Sequence, residues 1–229
     1  MGTDGFGPHV AFYIGDIPVS ETVTVTWFIM AFLLIFSIVA TRNMKKEPKG
    51  LQLFTETLVK TINNLTTQNM GIKNAAWAPY VGTLFLLIGI SNIIGLLGLR
   101  PPTADLNTTM SLSITTFVLT QFFGMKSKGP LKYGKGFLEP IPFLLPLNII
   151  GELANPVSLG FRLFGNITAG VVIMSLVYGA LGSILGLAVP IFEAGIPVVL
   201  HIYFDLFSGV LQSFIFTMLT MVFVSGAME

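Results

Sequence analysis

The sequence predicts an all-α, polytopic membrane protein. About five membrane helices and one amphipathic surface helix are expected, the last two membrane helices long and strongly tilted. Three observations carry this. The chain is 53% hydrophobic and 10% charged, where soluble domains average about 25% charged residues. Its apolar stretches alternate with short basic loops. From Lys135 to the end, the one basic residue other than histidine is Arg162, set in very apolar sequence. All 229 residues read as a single integral membrane domain, with no room for a separate soluble one.

Residues 1–21 read as an outer segment. The stretch MGTDGFGPHV has neither a basic residue nor an apolar core, so it does not read as a signal peptide. The first span is predicted at 22–41. Asp4, Asp16 and Glu21 precede it; Arg42, Lys45, Lys46 and Lys49 follow. Excess Lys and Arg marks the cytoplasmic side, which places the N-terminus outside. In 49–70, Leu51, Phe54, Leu58, Ile62 and Leu65 recur at steps of three and four, opposite Glu56, Lys60, Asn63 and Asn64. That is an amphipathic helix, too polar to span. It lies on the cytoplasmic membrane surface or packs on a neighbouring subunit; the two readings are compatible.

A helical hairpin is expected over 76–125. Its first arm, 77–99, starts at Trp77 and Tyr80 and stops at Arg100-Pro101-Pro102. An outer loop, 102–109, leads to the second arm at 110–125. Lys126, Lys128, Lys132 and Lys135 then form a second basic loop on the side of the first. Residues 137–226 form a long tilted pair. Neither 137–178 nor 184–226 fits one perpendicular span, because about 40 helical residues reach about 60 Å, twice a hydrocarbon core of about 30 Å. The C-terminus falls in the cytoplasm. No internal repeat is visible, which weighs against inverted-repeat transporters.

Cys is absent, and His9 and His201 lie far apart, so neither thiol chemistry nor a metal site is expected. A net charge of +1 argues against a nucleic-acid partner; membrane lipid is the expected surrounding. Arginine at membrane depth costs about 2.5–3.5 kcal/mol on insertion scales and cannot shed its proton. A function therefore needs a fixed positive charge there. Glu152, Asn155, Arg162 and Asn166 share one face of a continuous helix, or Asn155-Pro156 breaks it and leaves Glu152 on a preceding segment. His201, Asp205, Ser208 and Gln212 form a second stripe, with Glu193 two turns earlier. Facing each other, the two stripes make a polar seam of acids, amides and one arginine, with no nucleophile–base triad. Such a seam is the material of an ion path, although Asn166, Ser208 and Gln212 equally suit simple interhelical bonding. Asp105 suits a loop turn or the path.

The string SLGFRLFGN at 158–166, then Ala169-Gly170 and LQSFIF at 211–216, resembles subunit a of F-type ATP synthases. PTADLNTT at 102–109 and PLNIIGELANPVSLGFRLFGN at 146–166 extend the resemblance over nearly the whole chain. It implies a non-catalytic membrane stator without cofactor, lying against a ring of c subunits and held by peripheral-stalk b subunits. Two offset half-channels would carry protons or sodium ions in a bacterial plasma membrane. The family's essential arginine maps onto Arg162 and its polar neighbours onto Asn166 and Gln212; Glu152 and Asp105 match acidic positions. Relatives often carry Glu where Val171 stands, and His or Glu where Asp205 stands, which shifts the path toward Asp205, His201 or Glu193. The rival reading is a stand-alone ion-coupled secondary transporter.

Overall fold

The computed structural model describes residues 10–42, 44–138, 141–184 and 190–229. It is a helical bundle with one short hairpin. Strand β1 (Val10–Ile14) pairs antiparallel with β2 (Ile17–Ser20). Gly15, with φ 63°, makes the reversal, a backbone angle that glycine adopts without a steric cost. The all-helical expectation missed this element. Its signal was Gly15-Asp16 between two short runs rich in β-formers.

Helix α1 (Glu21–Thr41) stands at the edge of the bundle. It buries Val25 and Ile29 against Ile94, while Phe28, Leu34, Ile35 and Val39 stay exposed. An apolar helix with so little of its surface covered suits lipid. Helix α2 (Leu51–Met70) turns Ile62 and Met70 onto Val81 of α3 (Ala78–Ile93) and onto Met221 and Val224 of α8 (Gly209–Met228). Part of its apolar stripe is thus covered by its own chain, while Leu51 and Phe54 remain exposed.

Helix α4 (Leu106–Lys128) begins at Asp105, whose carboxylate accepts from the Asn107 amide at 2.9 Å. It ends at Gly129, with Lys126 and Lys128 in the last turn, where cations complement the helix dipole. A short helix α5 (Pro130–Gly136) follows. Among the described residues, four helical stretches are long and apolar enough to cross a membrane: Glu21–Thr41, Ile72–Leu97, Pro142–Leu181 and Pro197–Met228. Helix α4, predicted as the third of about five spans, has the length, about 35 Å, but lacks the hydropathy. The reason is its buried face of Thr109, Ser113, Thr116 and Thr120, which packs on other helices rather than on lipid. Thr116 and Thr220 of α8 share a 3.2 Å hydroxyl contact.

Helix α6 (Leu145–Ile184) runs 40 residues, continuous through Pro156. The open question about Asn155-Pro156 is thereby settled: the helix does not break. Helix α7 (Pro190–His201) passes through a π-helical stretch, Ile202–Ser208, into α8. The core joins α3, α6 and α8 through Leu84, Ile88, Leu159, Leu163, Ile167 and Phe216. Gly160 lets α6 approach α4, because a Cβ there would lie 2.8 Å from Met110 Sδ and 2.9 Å from Ser113 Oγ.

Asn92 is 1% exposed. It donates to the Gly209 carbonyl at 2.8 Å and accepts from the Thr103 hydroxyl at 2.6 Å. Asn92→Leu leaves both partners short of a bond in a dry site, at about 1–3 kcal/mol. The expected outcome is a lower unfolding temperature of the detergent-solubilised protein, read by differential scanning fluorimetry.

Candidate functional site

Arg162 lies near the middle of α6, and its side chain is exposed. Leu159 and Leu163, on either side along the helix, are 1% and 0% exposed, so the backbone is anchored in the core while the guanidinium leaves the bundle sideways. Its described bond is a long one, Nη2 to Ser158 Oγ at 3.5 Å. Among the described residues the one ion pair joins His201 and Asp205, and no carboxylate reaches Arg162.

On the N-terminal side of Arg162, Glu152 faces α4. Its Oε1 accepts from Gln121 Nε2 at 2.8 Å, and Gln121 Oε1 accepts from the Tyr133 hydroxyl at 3.1 Å. Tyr133 sits on α5, folded over Gly124 so closely that a Cβ there would meet its ring at 2.6 Å. Burial pushes the Tyr133 phenol up, the Glu152 charge adds to this, and the bond to Gln121 opposes it. The hydroxyl therefore stays a donor at neutral pH. Glu152 and Tyr133 line a cavity of about 680 Å³ whose wall also includes Lys128, Lys132, Thr120 and Asn155. A carboxylate, amides, hydroxyls and two cations around one space suit water and ions.

On the C-terminal side, the expected facing of two stripes is realised between α6 and the π-helical stretch. Asn166 Nδ2 donates to Ser208 Oγ at 2.7 Å. Tyr178 Oη lies 3.0 Å from His201 Nε2, and His201 Nδ1 lies 2.5 Å from Asp205 Oδ2. The Asp205 carboxylate rests on Gly95, where a Cβ would stand 3.5 Å from it. Wide helical turns of this kind recur at functional sites. Gln212 is 3% exposed, and its Nε2 is buried without a described partner. Leaving such a donor unmatched costs about 1–3 kcal/mol.

The predicted residues thus form two groups rather than one seam. Glu152 turns to α4, away from the His201 stripe. Asp105 caps α4 and accepts from Thr22 Oγ1 at 3.0 Å, a structural task at this loop. The side chain of Glu193 lies outside the described residues. Sequence reasoning missed Gln121, Tyr133 and Tyr178. Gln121 is the amide of an apolar run, TFVLTQFF; the two tyrosines carried no signal before their neighbours were known.

The ATP synthase A chain family matches residues 23–225. The chain belongs to that family. "ATP synthase subunit a, sodium ion specific" of Propionigenium modestum is 38% identical, over 97% of this chain and 78% of that protein. "ATP synthase subunit a" of Moorella thermoacetica is 35% identical, over 96% of this chain and 95% of its own length. The Legionella pneumophila (strain Paris) subunit a is 35% identical, over 100% and 95%. The chain is thus a non-catalytic, multi-pass membrane subunit a of an F-type ATP synthase.

Gln121→Leu strips Glu152 of its donor. A bond to a charged group is worth about 1.5–3 kcal/mol, so ion pumping by the assembled complex is expected to slow by roughly tenfold or more, with Tyr133→Phe milder. Initial rates of dye quenching in reconstituted vesicles check this.

Proposed function

We propose that this subunit is the ion-translocating stator of the membrane sector, with Arg162 facing the carboxylates of a c-subunit ring and peripheral-stalk b subunits holding it in place. The observation that carries this reading is an exposed guanidinium, without a described carboxylate partner, standing between two polar groups of side chains along one continuous helix. Glu152 precedes Arg162 by about 15 Å along α6, and Tyr178 follows it by about 24 Å. Exposed apolar side chains stand on the same helices, among them Phe161 beside the arginine on α6 and Ile202, Leu206 and Val210 on the stretch leading into α8 and on α8 itself. That surface suits an apolar ring of helices.

A ring carboxylate crossing an apolar interface must be neutralised by a bound ion or paired with a cation. Near Arg162 the ionised form is favoured, so the carboxylate releases its proton or sodium ion there. The fixed charge also repels any cation that would pass straight from one path to the other. Ions reach the ring on one side through the Glu152 cavity. On the other side they pass Asp205 and His201, then Asn166 and Gln212. The Gln212 Nε2, without a partner among the described residues, suits a ring group or water. Each elementary charge crossing 100 mV supplies about 2.3 kcal/mol, which a leak would waste.

Lys126, Lys128, Lys132 and Lys135 assign the Glu152 end to the cytoplasm by the positive-inside rule. Ser127 Oγ donates to the Met228 carbonyl at 2.7 Å, which keeps the C-terminal end of α8 on that side, with the N-terminal hairpin opposite. A bacterial plasma membrane fits these relatives.

Arg162→Ala is expected to abolish ATP-driven ion pumping by the reconstituted complex while leaving its subunits assembled. Normal coupled pumping would refute the role. Asp205→Asn is expected to slow translocation far more than Glu56→Gln, a change on the exposed side of α2; equal rates remove Asp205 from the path.

A further inference from the structure

His201 stands between two hydrogen-bonding side chains of unequal exposure. Tyr178 is 50% exposed, whereas the Asp205 side chain is 14% exposed. An ionised carboxylate can only accept, so Nδ1 of the imidazole is the donor toward Asp205. In the neutral ring Nε2 is then an acceptor, and the Tyr178 hydroxyl supplies its proton. Turning the ring over puts carbon atoms where both bonds are made. Ring orientation and tautomer are therefore fixed by two contacts, one from each long helix.

The π-helical stretch begins directly after His201. Asp205 and Ser208 both lie on it, bonded to His201 and Asn166 respectively. Helices α3 and α6 pack on this stretch and carry Tyr80, Glu152, Arg162 and Tyr178, of which Tyr80 and Glu152 stand toward the far ends of their helices. Of these, Tyr178 has a described bond to the imidazole. We infer that Tyr178 is a positioning residue for ion exchange at Asp205, pinning His201 in the Nδ1–H tautomer. An imidazole so held leaves the carboxylate able to take up and release a cation. A free ring can rotate away, or can gain a second proton and occupy the carboxylate as its own counter-ion.

This inference rests on the ion path proposed above. The test is a double-mutant cycle in the whole complex, reconstituted into vesicles, with pumping rates taken per assembled complex. Tyr178→Phe is expected to slow pumping roughly two- to tenfold, the scale of one hydrogen bond. In a His201→Ala background the same change is expected to add nothing, because Tyr178 acts through the imidazole. Both single variants are expected to change the shape of the rate profile against pH on the side opposite the basic loops, where a general packing defect lowers the rate equally at every pH. Tyr178→Gln, which keeps an N–H donor, is expected to restore part of the rate. Wild-type rate and profile in Tyr178→Phe, or an undiminished effect without His201, overturns the inference. Arg162→Ala in the same assay separates the two levels. Normal pumping there defeats the ion path itself, whereas loss there beside an unaffected Tyr178→Phe defeats the tyrosine's role alone.

Discussion

A permanent charge held at the side of an apolar bundle is the constraint around which this molecule is organised. Arg162 cannot neutralise itself, and no carboxylate among the described residues meets it. The helix that carries it must therefore be held by everything except that side chain. Leu159 and Leu163 are almost fully covered by α3 and α8, and Gly160 lets α6 lie directly against Met110 and Ser113 of α4. Apolar packing bears the cost of displaying the cation, which leaves the guanidinium free for a partner.

The same packing sorts the polar groups. Helix α4 is more polar than its neighbours because its hydroxyl face never meets lipid; it meets α6 and α8. Small residues set the spacing elsewhere. Gly95 gives Asp205 its place, Gly170 admits Phe204, and Gly209 sits against Asn92. The wide turn at Ile202–Ser208 departs from regular α-helix just where α7 passes into α8. Its cost is local, and two interhelical bonds to α6 accompany it. Regularity is kept where the core is apolar and given up where the polar side chains of α6 and the π-helical stretch meet.

The two polar groups differ in construction. Around Glu152 the neighbours come from three helices, including the short α5 of the basic loop, and they border a cavity of about 680 Å³. Around Asp205 the described contacts run side chain to side chain.

Composition and periodicity determined that the chain is a helical membrane protein, because a lipid environment permits few alternatives to helices and the apolar runs are long. Arg162 stood out for the same reason: a charge in such a run is costly enough to imply a use. The amphipathic α2 was legible from steps of three and four, and the two overlong segments from their length. Tertiary structure decided what spacing cannot encode. It carried α6 through Pro156, turned Glu152 toward Gln121, and put Asp105 to work as a cap. It also brought Tyr178 to His201 across 23 residues. These are contacts between helices, set by how neighbouring surfaces fit, whereas a sequence read one helix at a time reveals which face is polar and not what that face will meet.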